Sequence, residues 1–452
     1  MEERVDVVVL GMGPGGEEVG NKLAEAGLNV VGIDHRLLGG ECPYWGCVPS
    51  KMMIRAGNLL AEARRIPGMA GQSTVDPSWA PVAKRIREEA TDNWDDKVAV
   101  DRFEGKGGRF VRGTGHIEGT DRVRVGDRTF VATRALVIGT GTEPAIPPIP
   151  GLDATPYWTN REAIEATEVP ESLIVLGGGA VGLELAQVFS RFGAGVTVVE
   201  GAPRVVPLEE PEASALIAEV FEREDITIRA GVAAESVSRA DGTTTVHLAD
   251  RSSLSATQLL VAAGRRSDLR ALGAGNAGLD DSARTIKIDE HARAGSRIWA
   301  VGDVTGIGAF THVAMYQARI AVADILGRAG LPAEYRALPR VTFTDPEIGA
   351  AGLTEEQARK QGLTVRTGSA KVPASARGWI HKAGNDGFIK LVADADRDVL
   401  VGATSAGPVG GEVLSMLTLA VHAQIPLPVV RNMIYAYPTF HRGVEDALRD
   451  LG

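Results

Sequence analysis

Only two cysteines occur in the 452 residues, and both lie in the stretch Gly39-Gly40-Glu41-Cys42-Pro43-Tyr44-Trp45-Gly46-Cys47-Val48-Pro49-Ser50-Lys51. An isolated pair this close invites redox chemistry; the plain alternative is two buried apolar thiols in a helix. Geometry favours the first. Positions i and i+5 of a regular helix lie roughly 140° apart around the axis and roughly 7.5 Å apart along it. A disulfide wants its Cα atoms within about 7 Å. A Cys42–Cys47 bridge therefore needs an irregular first turn. Gly39 and Gly40 tolerate unusual dihedrals, and Pro43 suits a helix start but not an interior. With Pro43 opening the helix, Cys47 lies near a positive helix end that favours a thiolate, and Lys51 adds a nearby cation. The stretch reads as a reducible disulfide whose reduced form is held as a thiolate.

Such a pair needs an electron source, and two further motifs supply one. Residues 5–10 form a buried-strand run entering Gly11-Met12-Gly13-Pro14-Gly15-Gly16. A helical pattern follows over 19–26, then a strand over 29–33 ending in Asp34. A GxGxxG alone is weak, because glycine-rich turns are common. Strand before, helix after and an acid about 20 residues on make it a dinucleotide fingerprint: the glycines let backbone approach a pyrophosphate at a helix N-terminus, and the acid binds ribose hydroxyls. The pattern repeats at residues 173–176, Gly177-Gly178-Gly179-Ala180-Val181-Gly182, the helix 183–192 and the strand 196–199 ending in Glu200. The chain thus carries two nucleotide sites. A carboxylate accepts from a ribose 2′-hydroxyl and repels a 2′-phosphate, so Glu200 predicts NAD rather than NADP at the second, with Arg204 close enough to moderate that preference.

The length suggests about three domains. The net charge of −10 argues against general affinity for nucleic acid or an anionic membrane. No apolar run is long enough to span a bilayer. The N-terminus enters a strand pattern without the features of a signal peptide, so the expectation is a cytoplasmic protein. There a lone cysteine pair is catalytic more often than structural.

Elsewhere, residues 59–107 read as a solvated helical hairpin, and 110–133 as short strands with a turn at Gly113-Thr114-Gly115-His116. The strand 135–138 meets Gly139-Thr140-Gly141. The proline-rich 144–150 marks a domain crossing, the strand 259–263 closes at Gly264-Arg265, and a strand over 297–302 delivers Asp303. Residues 313–326 form an amphipathic helix. From 338 the composition changes: strands over 341–344, 387–392 and 399–405, with helices over 414–422 and 443–448, describe an α+β domain suited to dimerisation.

Taken together, GMGPGG, GGECPYWGCVPSK, GTG, GGGAVGLE, Gly264-Arg265, AVGD and FTDPEIGAAGLT make nearly the whole chain resemble the two-cysteine pyridine nucleotide-disulfide oxidoreductases, the family of dihydrolipoyl dehydrogenase, glutathione reductase and mercuric reductase. The resemblance implies an α/β fold: two Rossmann-like domains, for FAD and NAD, plus a C-terminal α+β dimerisation domain. The expected borders are 1–150 for the first part of the FAD domain, 151–266 for the NAD domain, 267–336 for the central remainder and 337–452 for the interface of a homodimer. It implies FAD held by Gly11, Gly13, Pro14, Gly15, Gly16, Asp34, Gly40, Gly115, His116, Thr140, Gly141, Asp303 and Thr311. It implies NAD held by Gly177, Gly179, Val181, Gly182, Glu200 and Gly264. Cys47 would be the thiolate against the flavin, Cys42 the exposed thiol that attacks a small-molecule disulfide or other acceptor, and Lys51 and Glu184 a pair beside the flavin where nicotinamide docks.

One departure matters. Where the family carries HxHPTxxE, this chain has Tyr435-Ala436-Tyr437-Pro438-Thr439-Phe440-His441-Arg442. The histidine–glutamate dyad is absent. A phenol, with a reference pKa near 10, donates a proton more readily than it takes one at neutral pH. The change favours reduction of a disulfide over oxidation of a dithiol, with Tyr437 as donor. Arg442 either lowers the Tyr437 pKa or pairs elsewhere, and His441 is the alternative base. Tyr44 and Trp45 either shape a substrate entrance or pack against the helices. A second class of reaction, direct reduction of a quinone or dye by the flavin, does without the cysteines.

Overall fold

The structure, a computed structural model, describes residues 2–452 and groups them into two compact units. The first comprises residues up to Ser50 with Lys84–Ala145 and Arg265–Glu334. The second comprises Lys51–Ala83, Ile146–Gly264 and Tyr335–Gly452.

The first unit is built on β1 (Glu2–Leu10), α1 (Pro14–Glu25) and β2 (Val30–Asp34). β1 pairs in parallel with β2 and with the long strand Arg128–Ile138, which pairs in turn with Ile298–Ala300; Gly108–Arg112 lies beyond β2. The alternation of side chains along a strand divides β1 between two cores. Val8 and Leu10 pack with Ile33, Ile117, Phe130 and Leu136; Val7 and Val9 pack with Met12, Leu23, Phe103 and Trp299. Both faces are therefore covered, as a parallel sheet requires.

The second unit contains three sheets. Four parallel strands run in the order Thr227–Ala230, Gly195–Glu200, Ser172–Leu176, Gln258–Val261. Beside them is an antiparallel meander of Ala234–Ala240, Thr243–Leu248 and Ser253–Ala256. The C-terminal part is a five-stranded antiparallel sheet in which Val399–Gly407 pairs with both Glu347–Gly352 and Phe388–Asp394. Helices Gly410–His422 and Gly443–Asp450 cover it through Leu417, Val421, Val444 and Leu448. A buried cluster fixes the unit internally: Lys390 lies within 3.0 Å of carboxylate oxygens of Glu210, Glu212 and Glu355.

The expected helical hairpin over 59–107 is corrected. The chain leaves the helix Cys47–Arg64 before Pro67 and the left-handed Gly68 (φ +81°), and this stretch is not merely solvated. Trp79 is buried between Phe189 and Phe192, its Nε1 donating to the Ala166 carbonyl, and Ile86 and Phe103 are fully enclosed.

Candidate redox site and nucleotide cradles

The cysteine stretch does not form one helix opening at Pro43. Gly39 and Gly40 turn the chain through φ of +108° and +68°, and α2 (Glu41–Tyr44) is a single turn. Trp45 and Gly46 then break the helix, and α3 (Cys47–Arg64) starts afresh at Cys47. A Cβ on Gly46 would lie 3.0 Å from the Glu41 carbonyl oxygen, so glycine is needed where the two helices fold together. Both cysteines are thiols here. Cys42, inside α2, is half-buried; Cys47, at the mouth of α3, is exposed. The Cys42 thiol is pushed well above its ordinary value, first by its hydrogen bond to the Cys47 side chain, then by burial and by negative charge on Cys47. Thr311, first residue of the helix Thr311–Ile325, places its hydroxyl 3.4 Å from the Cys47 sulfur.

Within the second unit, Lys51 and Glu184 come together: Nζ lies 2.7 Å from Oε2, and the Phe343 amide donates to Oε1 at 2.8 Å. Glu184 is buried in the helix Ala180–Arg191, and the Lys51 ammonium lies 4.7 Å from the centroid of the Phe343 ring. With both carboxylate oxygens engaged, Glu184 fixes the lysine in place.

The two glycine loops share one geometry. Gly11 (φ +91°) and Gly177 (φ +116°) turn where a side chain would strike the backbone of Gly139 and Ala262, respectively. A Cβ on Gly16 would lie 1.9 Å from the Gly11 oxygen, and one on Gly182 2.1 Å from the Gly177 oxygen. Gly13 and Gly179, each the N-cap of its helix, have nothing within 4 Å of an added Cβ. Open space at a helix N-terminus, beside backbone that tolerates no side chain, fits a pyrophosphate. Pro14 is the first helical residue after Gly13, and Gly15 packs beneath it against Val301 and Ala314. Val181 is exposed at the matching helix start in the second loop. Gly40 comes so near Gly13 that a Cβ would lie 2.7 Å from its Cα.

The two acids also match. Asp34 accepts from the amides of Met12 and Arg36 at 2.8 Å; Glu200 accepts from Gly178 and Ala202 at 2.7 Å. Each oxygen keeps a second lone pair for a ribose hydroxyl. Arg204 directs both Nη groups to the protein itself, to the carbonyls of Val206, Pro207 and Glu209 and the Ser214 hydroxyl.

Of the remaining expected residues, Asp303 accepts from Thr142 Oγ1 at 2.9 Å, and burial raises its carboxyl against the pull of Thr142 and Arg265. Thr140 and Gly141 lie just beyond Ile138, at the end of the central strand, with Thr140 exposed. Gly115 and His116 belong to a strand, Gly115–Ile117, rather than a turn, with His116 Nδ1 3.1 Å from the Ala271 oxygen. Gly264 (φ +114°) turns the chain after Gln258–Val261. Sequence reasoning missed Thr142, which Arg265 contacts through both its hydroxyl (2.8 Å) and its carbonyl (2.6 Å); it sits two residues past Thr140, and only that position hinted at it.

The two C-terminal tyrosines differ. Tyr435 is buried, donates to the Val430 carbonyl and has its pKa pushed up to about 12 by burial, so it is not an available acid. Tyr437 is 68% exposed, its ring 5.5 Å from the Arg442 guanidinium, and Arg442 pairs with Glu445 at 2.8 Å. The His441 ring lies 6.2 Å from Tyr435.

Comparison with known proteins agrees with this architecture. Residues 5–318 match the pyridine nucleotide-disulphide oxidoreductase family and 338–448 its dimerisation domain. A dihydrolipoyl dehydrogenase from Chlorobaculum parvum is 32% identical over 464 residues, covering 98% of this chain and 96% of its own. A mercuric reductase from Bacillus cereus is 32% identical, covering 97% of this chain and 70% of its own. The solved structure of the HOCl-induced flavoprotein disulfide reductase RclA from Escherichia coli superposes with a TM-score of 0.85 at 25% identity, over 98% of this chain and 99% of that one. With a family match across most of its length and relatives above 30% identity, the chain belongs to the pyridine nucleotide-disulphide oxidoreductases, enzymes that use FAD and a pyridine nucleotide.

Proposed function

We propose that this enzyme, as a homodimer in the cytoplasm, uses NADH to reduce a small-molecule disulfide. The observation that carries this reading is the placement of two free thiols on successive helices, Cys42 in α2 and Cys47 at the start of α3, with Thr311 Oγ1 3.4 Å from the Cys47 sulfur. FAD, cradled by the first glycine loop with Asp34 and Asp303, supplies the passage of two electrons from nicotinamide to the disulfide. Lys51, oriented by Glu184, supplies a fixed positive charge. With the pair reduced, Cys42 gives up its proton to solvent and attacks one sulfur of the substrate. The substrate S–S bond breaks, a mixed disulfide forms, and the leaving thiolate takes a proton from Tyr437, which is reprotonated from solvent. Cys47 then attacks Cys42, releasing the second thiolate to solvent protons and closing the pair. The sum is NADH, a proton and RSSR giving NAD⁺ and two RSH. The absence of the histidine–glutamate dyad counts against a dihydrolipoyl dehydrogenase role, since a phenol is a poor base near neutral pH. NADH is the expected donor because a carboxylate such as Glu200, at the end of the strand Gly195–Glu200, would accept from a ribose 2′-hydroxyl and repel a 2′-phosphate, while Arg204 is engaged with chain carbonyls.

The test is a panel of low-molecular-weight disulfides, quinones and mercuric ion assayed with NADH, for the parent and Cys42→Ser. Disulfide turnover in the parent that disappears in the variant supports the proposal; equal turnover in both removes the cysteines from the reaction. One observation favours a second reading, reduction of quinones without the cysteines: Tyr435, buried and bonded to Val430, leaves only the exposed Tyr437 to serve dithiol chemistry from this motif. Quinone turnover that survives Cys42→Ser alongside inactivity toward every disulfide would establish it.

A further inference from the structure

Asp92, Asn93 and Trp94 adopt left-handed backbone in succession, with φ of 47°, 56° and 57°. Aspartate and asparagine visit that region more readily than other residues with a Cβ, but a bulky tryptophan there is an outlier, and such strain persists only where the surroundings over-determine it. Here they do. Buried Thr91 donates to the Arg87 carbonyl and accepts from the Trp94 amide, and the Asp95 amide closes back on the Asp92 carbonyl. The turn aims two groups at the cysteine stretch. Trp94 Nε1 donates to the Tyr44 carbonyl at 3.3 Å, between the two cysteines. The buried Asp96 carboxylate accepts from the Leu38 amide at 2.6 Å and is itself held by Arg112, whose Nη2 lies 2.7 Å from both oxygens. Leu38 precedes Gly39 and Gly40, and Tyr44 ends the single turn bearing Cys42. The two glycines that lead into the turn offer no side chain by which it could be anchored.

We propose that the 92–94 turn is a brace that sets the reactivity of Cys42, with Trp94 its positioning residue; the proposal rests on the redox role of the cysteine pair. The brace holds the Tyr44 carbonyl so that Cys42 stays half-buried against Cys47. Releasing it uncovers the thiol and weakens ring closure of the disulfide.

The experiment begins with the FAD-loaded parent reduced by NADH. Appearance of two thiols per chain is the expected result; none would overturn the redox role of the pair and the brace with it. Trp94→Phe keeps the ring and loses the donor. It should speed alkylation of Cys42 by iodoacetamide, located by mass spectrometry, about threefold or more, and shift the equilibrium with glutathione toward the dithiol by a similar factor. FAD content should stay at the parent value. Parent-like alkylation and equilibrium, with or without a lower melting temperature, would overturn the brace while leaving the redox role intact. Asn93→Val, whose β-branched side chain disfavours the left-handed region, gives an independent route: it should move both quantities in the same direction, and parent values there also count against the proposal.

Discussion

The two nucleotide loops are the same device built twice with different spacers. Each acid caps the glycine loop through the amide of the loop's second residue, Met12 for Asp34 and Gly178 for Glu200. In the first loop Met12 occupies that position, fully buried against Gly32 and Phe103. In the second a Cβ on Gly178 would lie 2.7 Å from Val205 Cγ1 and 3.1 Å from Glu200 Cβ. Val205 first, and the stem of Glu200 after it, therefore close residue 178 to a side chain. What the loops hold in common is backbone, and what differs between them is side-chain volume.

The largest effect should come from breaking both loops in the same way. Gly16→Ala and Gly182→Ala each put a methyl about 2 Å from a carbonyl oxygen, as a Cβ at 1.9 Å and 2.1 Å indicates. Gly16→Ala should yield a protein at least tenfold poorer in FAD by its visible absorbance. Gly182→Ala should stay yellow and lose rapid bleaching by NADH in stopped flow. Equal loss of colour in both would mean that the loops do not divide the two nucleotides. A smaller effect should separate the second positions. Gly178→Ala forces Glu200 or Val205 to shift, a strain of about 1–3 kcal/mol, and should raise the NADH KM about tenfold at unchanged FAD content. Met12→Ala should leave that KM alone and destabilise the first unit by about 2–5 kcal/mol, as a cavity does, read as a lower melting temperature. The smallest change sharpens the cofactor choice. Arg204→Ala should leave the ratio of kcat/KM for NADH and NADPH within about twofold, because its donors already serve the chain. A large shift would show that Arg204 reaches the cofactor.

These loops were legible because their signals are local. A strand, three glycines, a helix and an acid follow within some 30 residues, and the last glycine of each loop answers to backbone close by in sequence, Gly16 to Gly11 and Gly182 to Gly177. The pairing of Lys51 with Glu184 was reached only through resemblance, since 133 positions separate them. The single helix expected to open at Pro43 became two because Gly46 reads as a mild helix weakener, while its role depends on the approach of Glu41. The strand Glu347–Gly352, EIGAAG, escaped notice: its small residues carry no alternating pattern, and it is a strand because Val399–Gly407 pairs with it and Gly349 lets Gly410 come close. The left-handed run at 92–94 has no glycine to announce it. The burial of Tyr435 beside the exposure of Tyr437 rests on packing in a distant core.

The contact between residue 178 and Val205 also constrains how this sequence can drift. Replacing Val205 with alanine removes the Cγ1 that would lie 2.7 Å from a Cβ at residue 178 and then permits alanine there. Taken in the reverse order, the same two substitutions pass through a crowded loop. The pair is thus epistatic, and a lineage adding a side chain at 178 would meet its easier path by changing Val205 first.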